Sequence, residues 1–233
     1  MKVFYDFHIH SCLSPCGDND MTPCNIAGMA ALCGLQAIAV ADHNSCGNCP
    51  AVLSAAREKG ILAVPAMELT TAEEAHVLCL LPDVDAAMEF SAYVYSRLPD
   101  IPNNTGIFKA QLIYGENDNV IGEEPRFLLT ATEISINEVF LLLREFGGVA
   151  VPAHVDRRSF SVLSNLGSWH PSWGFTAYEQ YDRDFDLTGR FPEMKGLKRI
   201  FNSDAHSLDR MRDAENTIEL ARLDAKTIIE SLL

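Results

Sequence analysis

The sequence predicts a single α/β barrel domain with its chemistry gathered at one end. Two observations carry the fold: short β-rich runs alternate with helix-period segments, and the repeated strand-then-helix units argue for a mostly parallel sheet with helices outside. A third concerns position, because the ionisable clusters stand at the carboxyl ends of the apolar runs, the functional face of parallel α/β architectures. About seven such strands suit a closed barrel better than an open sheet.

Taken in order, Val3–His10 reads as a strand. Thr22 and Pro23 form an N-cap and first-turn pair opening a helix that ends at Gly34. Leu35–Ala41 is a second strand, Ala51–Lys59 a helix terminated by Gly60, and Ile61–Met67 the third strand. His76–Leu81 is another strand, and Asp83 to about Leu98 is helical. Asn137–Phe146 is a helix stopped by Gly147-Gly148, leading into the strand Val149–Ala153. Thr176–Tyr181 and Lys198–Asn202 complete the strands, with a helix from about Asp224. Residues 1–233 form one domain, and the Pro-, Asn- and Gly-bearing stretch 99–130 reads as an insertion or lid over it.

The net charge is −14, from 32 acidic and 18 basic residues. Such a surface repels a long phosphate backbone unless a basic track or bound metals reverse the local field, so a small anionic substrate is expected over long nucleic acid. Metal ligands account for part of that negative charge. No run approaches a membrane span, and the first residues show neither a basic stretch nor a cleavage signature. Seven cysteines (12, 16, 24, 33, 46, 49 and 79) without an export signal suit reduced thiols, and a cytoplasmic location is expected. Cys33 and Cys79 lie in apolar runs and read as core; Cys46 and Cys49 form a CxxC, read as reduced loop thiols because no second CxxC completes a zinc site.

Five ionisable clusters end apolar runs: Asp6–His10, Asp42-His43, Glu68, His154 and Asp204–His206. His76 begins its run, and a short excursion from Glu68 can return the chain beside it. Residues i and i+2 of a strand share a face, so His8 projects with His10 and Asp204 with His206. One HxH is weak, since a polar strand end carries two histidines by accident. Two such pairs and four more candidates at equivalent places are a different matter. A purely structural role would bury several imidazoles and carboxylates together, each needing a partner. Metal binding is the better reading.

The order DxHxH (Asp6–His10), DHN (Asp42–Asn44), Glu68, His76, PAH (Pro152–His154) and SDAH (Ser203–His206) resembles the PHP (polymerase and histidinol phosphatase) superfamily. The resemblance implies a distorted (β/α)7 TIM-like barrel with two or three divalent metals, zinc, manganese or iron, at the carboxyl end of the strands. It assigns His8, His10, Glu68 and Asp204 to one metal, with Glu68 bridging to a second held by His76 and His154. It assigns His43, His206 and the residue six after His10 to a third. That residue is Cys16, where the family usually places His or Asp. A thiolate is a competent ligand for zinc or iron, and Asp18 is the alternative.

The expected chemistry is hydrolysis of a phosphate ester, a small nucleotide or metabolite phosphomonoester. Metals about 3.5–4 Å apart can share a hydroxide that attacks phosphorus while they neutralise its oxygens. His206 or His43 is a candidate for proton transfer to the leaving alkoxide, with metal-bound water the alternative if both are ligands. Asp6 and Asp42 are candidates for accepting a ring N–H and orienting imidazoles. Arg157 or Arg158 can fork onto a phosphate, though surface solvation explains a loop arginine equally well. Trp169, Trp173, Tyr178 and Tyr181 read as core before they read as stacking platforms. Two alternatives stand beside the phosphatase: an exonuclease on short oligonucleotides, which needs a basic track where the sequence offers scattered pairs, and a non-catalytic metal-binding module.

Overall fold

The computed structural model describes all residues, 1–233, and contains four separate sheets instead of one closed ladder. The chain begins with strand β1 (Lys2–Ile9), helix α1 (Pro23–Leu32), β2 (Ala37–Val40), α2 (Cys49–Glu58) and the two-residue β3 (Leu62–Ala63). Then come β4 (Ala66–Thr70), β5 (His76–Leu80), α3 (Val84–Ser96) and a hairpin of β6 (Leu112–Tyr114) with β7 (Val120–Glu123). The rest is α4 (Ile136–Glu145), β8 (Val149–Pro152), α5 (Val162–Leu166), β9 (Ala177–Glu179), α6 (Leu187–Arg190), β10 (Lys198–Ile200), β11 (Thr217–Glu219) and α7 (Ala225–Leu232). No helix is long and apolar enough to cross a membrane.

Strands β1, β2 and β3 pair in parallel, with β11 antiparallel on the outer edge of β1, and β9 and β10 form a parallel pair. The remaining body sheet, β4-β5-β8, is antiparallel throughout. The α/β class therefore stands, but the mostly parallel closed barrel does not. Pro65 is one cause: it lacks an N–H to extend the ladder, and it splits the run Ile61–Met67 into β3 and β4. The hairpin from Thr70 to His76 is the other, because it sends β5 back against β4.

The sheets meet only at one end. Lone parallel bridges pair His43 with Glu68 and Ile9 with Ala205, and Val155 N–H donates to Glu179 O at 2.9 Å. Below these joints, inward side chains from β1, β2, β4, β5, β8, β9 and β10 share one apolar core with Ile228, Ile229 and Leu232 of α7. A second core packs α3 and α4 on the outer face of β4-β5-β8, and a third packs α1 and α2 outside β2. Trp169, Trp173 and Tyr178 belong to the second, as the core reading expected, whereas Tyr181 is 41% exposed.

Segment 99–130 packs on the joined end of the sheets without a large core of its own. Its hold is polar. Asn48 is buried, its Nδ2 donates to Ser11 Oγ and Leu112 O, and its Oδ1 accepts from Tyr114 N–H at 2.8 Å. Asn44 Nδ2 donates to Leu128 O and Thr130 O, and Lys109 reaches Asp18 at 2.6 Å. Buried amides fully satisfied in this way are costly to delete, because their partners stay behind unpaired. Asn48→Ala is therefore expected to destabilise the protein by about 1–3 kcal/mol. Urea unfolding checks the magnitude, and faster proteolytic cleavage within 99–130 checks the place.

Candidate metal centre

Strand alternation explains most of the inward-pointing ligands. In β4, Ala66 faces the interior while Met67 and Leu69 face outward, so Glu68 points in. In β5, Leu78 and Leu80 face inward and Val77 and Cys79 outward, which turns His76 in beside it. Pairing of Thr70 with His76 and of Glu68 with Leu78 places Glu68 and His76 diagonally on one face. β1 needs a correction to strict alternation. Val3, Tyr5 and Phe7 lie in the interior core but Ile9 lies in the outer one, so the faces switch at the register irregularity between Asp6 and Ile9. That bulge re-aims His8 and His10 inward. His154, with φ 29°, and Asp204, with φ 50°, leave extended geometry as their strands end. Such conformations are costly for residues with a Cβ and cluster where function holds them.

The result is one carboxylate beneath five imidazoles. Glu68 Oε1 lies 2.9 Å from His76 Nδ1, 3.0 Å from His154 Nε2 and 3.2 Å from His8 Nε2. Its Oε2 lies 3.0 Å from His43 Nδ1 and 3.3 Å from His10 Nε2. Asp204 Oδ1 sits 3.0 Å from His10 Nε2 and 3.5 Å from His8 Nε2. The His206 ring stacks on that of His10 at 4.1 Å. Glu68 and the five imidazoles around it are buried, as is Asp204; the side chain of His206 is 32% exposed.

Electrostatics bind the cluster tightly. Burial alone would raise Glu68, but His76, His8 and His43 outweigh it and hold its carboxyl well below the usual range. Burial likewise opposes a charge on His8, yet Glu179, Glu68 and Asp204 hold its ring well above the ordinary value. His10 is pushed up to about 9 by hydrogen bonds to Asp204 and Glu68 acting against burial. Burial and neighbouring imidazoles push the other way at His43, well down, and at His206, down to about 4.

A divalent ion fits these donors. Five ring nitrogens converge on Glu68, more than the roughly four lone-pair positions a carboxylate offers. His8 Nε2 and His10 Nε2 stand 3.2 Å apart, and Nδ1 of His43 and of His154 is buried without a hydrogen bond. Three groups of donor atoms lie close enough to share an ion: His8, His10 and Asp204; His43, Glu68 and His76; His10, His43 and His206. Imidazole with carboxylate suits zinc, manganese or iron.

Several expectations are placed differently. Cys16 lines the cavity but joins no ligand group, and His10 stands with His43 and His206 instead. Cys16 is exposed as a residue, but its thiol faces an acid-rich hollow, where burial and Glu68 push it up to about 12. Asp18 is spoken for by Lys109. Neither Asp6 nor Asp42 touches a ring nitrogen. Asp6 accepts the backbone N–H groups of His8 and Ser203, and Asp42 accepts Ser11 and Ser14, reaching His10 only through the Ser14 hydroxyl. Arg157 binds Asp204 and stacks over Tyr181 at 4.1 Å, whereas Arg158 is exposed and outside the cavity. Cys46 and Cys49 are buried free thiols, both directed at Ala66 O.

The carboxylate that orients a histidine is Glu179, which the sequence reading passed over. It is buried at the end of β9, takes His8 Nδ1 at 2.9 Å, and accepts from Asn202 Nδ2 and His154 N–H. Its position at the carboxyl end of an apolar run was the available signal.

Solved structures share this architecture. Endonuclease Q from Pyrococcus furiosus, a lesion-specific endonuclease, superposes with a TM-score of 0.75 at 20% identity, covering 100% of this chain and 56% of that one. Endonuclease Q in complex with a 27-mer duplex carrying an abasic lesion gives 0.74 at 20% identity, over 99% and 56%. A Bifidobacterium adolescentis protein described as a metal-dependent phosphoesterase gives 0.62 at 18% identity, over 98% and 95%. The chain shares the fold of these proteins. It spans only about half of Endonuclease Q. No family model and no curated protein sequence matches it. At the position of Cys16, the third donor beside His43 and His206 is His10.

Two outcomes follow for metal binding. Glu179→Gln is expected to weaken manganese or zinc affinity about 10- to 100-fold, as loss of a carboxylate behind a histidine ligand does elsewhere; isothermal titration measures it. His10 carries its proton below about pH 9 in the metal-free protein, and a metal takes only the neutral ring. Affinity should therefore rise with pH up to that value, about tenfold per unit for each proton displaced. Titrations in buffers of different ionisation enthalpy count those protons.

Proposed function

We propose that this protein is a metal-dependent phosphoesterase acting on a small nucleotide or metabolite phosphomonoester. The observation that carries the reading is the convergence of five buried imidazoles on Glu68, with Asp204 and Arg157 at the edge of the same cavity of about 250 Å³. In this reading His8, His10 and Asp204 hold one divalent ion with Glu68, His76 and His154 share Glu68 around a second, and His43 and His206 serve a third with His10. Ions held there would lower the pKa of coordinated water and neutralise phosphoryl oxygens. Arg157 is the side chain best placed to fork onto a phosphoryl oxygen once Asp204 turns to a metal. His43 and His206, held neutral, act as lone-pair donors in this account, which leaves protonation of the leaving alkoxide to water.

A nuclease is the second reading, and a specific arrangement favours it. Arginines scattered in sequence gather along two further cavities beside the site: Arg157, Arg210 and Arg212 in one of about 430 Å³, and Arg157, Arg158, Arg183 and Arg212 in one of about 570 Å³. The fold shared with Endonuclease Q, which acts on DNA, agrees with that reading. Interleaved Asp156, Asp182, Asp184 and Asp209 weaken the track.

Protein loaded with manganese, zinc or iron is expected to hydrolyse p-nitrophenyl phosphate, and His8→Ala to lower kcat/KM by about 10³-fold or more, a few kcal/mol of transition-state stabilisation. Parallel assays on short oligonucleotides rank the two hydrolase readings. Metal bound in the measured stoichiometry, with no ester turned over, would favour the non-catalytic module.

A further inference from the structure

The loop from His154 to Ser161 carries a feature the metal centre does not use. Phe160 holds φ 54°, a left-handed backbone that a bulky aromatic residue rarely adopts. Surrounding contacts enforce it: Phe160 O accepts His76 N–H at 2.9 Å, and Ser161 Oγ donates to Arg157 O at 2.8 Å. The ring lies flat on His76, with centroids 4.9 Å apart and planes 17° apart, yet Phe160 remains 48% exposed. It lines the metal cavity together with Leu129 from the 99–130 insertion and Ser159. An aromatic ring needed only to shield His76 would not call for a strained backbone and an open face. A ring kept as a contact surface would.

We propose that Phe160 is a specificity-determining residue: its exposed face, with Leu129, forms an apolar wall that receives a flat ring carried by the leaving group of the phosphate ester. The assignment rests on the phosphoesterase reading for the identity of the other half of the ligand. Phosphate binds at the metals and Arg157, and the ring stacks at the mouth. Stacking of this kind contributes on the order of tenfold in affinity, more in favourable cases.

The test uses the full chain loaded with manganese, and follows 1-naphthyl phosphate through its own fluorescence beside inorganic phosphate. Phe160→Asn removes the ring and keeps a residue at ease in left-handed backbone. The affinity ratio of naphthyl phosphate to inorganic phosphate is expected to fall about tenfold, Phe160→Tyr to restore it, and the thermal midpoint of Phe160→Asn to hold. A wild-type protein with no preference for the aryl ester, or a variant that loses both ligands equally, overturns the wall. Steady-state assays with 1-naphthyl phosphate and glycerol 2-phosphate add a kinetic readout. Absence of turnover in a protein that keeps the binding ratio counts against the hydrolase reading alone.

Discussion

Everything at the joined end of the sheets answers to one buried charge, the Glu68 carboxylate. An ionised carboxyl removed from water costs several kcal/mol or more unless cations or hydrogen bonds replace its hydration. Here the replacement is five imidazoles, and two of them, His8 and His10, carry raised pKa values because Glu179 and Asp204 add further negative charge. Imidazoles and carboxylates in the cluster thus serve as one another's counter-charges, which offsets the cost of burying them together.

The same site does the work of sheet closure. Three sheets that share no continuous ladder are joined by His43 to Glu68, by Ile9 to Ala205 and by Val155 to Glu179. Two of these pairings include a member of the centre, and the third lies between His8, His10 and Asp204. Ligand placement and closure are therefore a single constraint. A shift of β4 against β2 would move Glu68 off its histidines and part the two sheets at once.

Much of this was legible because strand geometry is local. Alternation of two residues puts His8 with His10, and a ligand at the end of an apolar run falls on the functional face whatever the sheet's connections. That logic survived two errors of topology. Pro65 divided a strand, and β5 ran antiparallel, yet Glu68 and His76 still met, since a tight hairpin returns the chain to where it left. What was not legible depended on distances in space. Cys16 follows the motif spacing, but the donor that stands with His43 and His206 is His10. Asp6 and Asp42 carry the right chemistry in the right motifs, but Asp6 is taken by the backbone N–H groups of His8 and Ser203, and Asp42 by the Ser11 N–H and the hydroxyls of Ser11 and Ser14. Glu179 does the orienting instead, though nothing but its strand-end position marked it. The arginines around Tyr181 come from three separate loops, and no spacing in the sequence foretells their meeting.

The division between strand and loop also separates two kinds of information in the site. Ligands sit at strand ends and are fixed by sheet register, so proteins only 18–20% identical can share the frame that presents them. The walls of the cavity come from elsewhere: Leu129 from the segment 99–130, Ser159 and Phe160 from the loop after β8, Arg157 from the same loop. Loops change shape at little cost to the core, whereas a ligand moved by one residue would turn to the other face. Two positive-φ residues in that one loop, His154 and Phe160, show that its shape is held against local preference by the contacts on either side. The least regular backbone of the molecule thus shapes the cavity walls, while its regular strands place the buried histidines and acids beneath them.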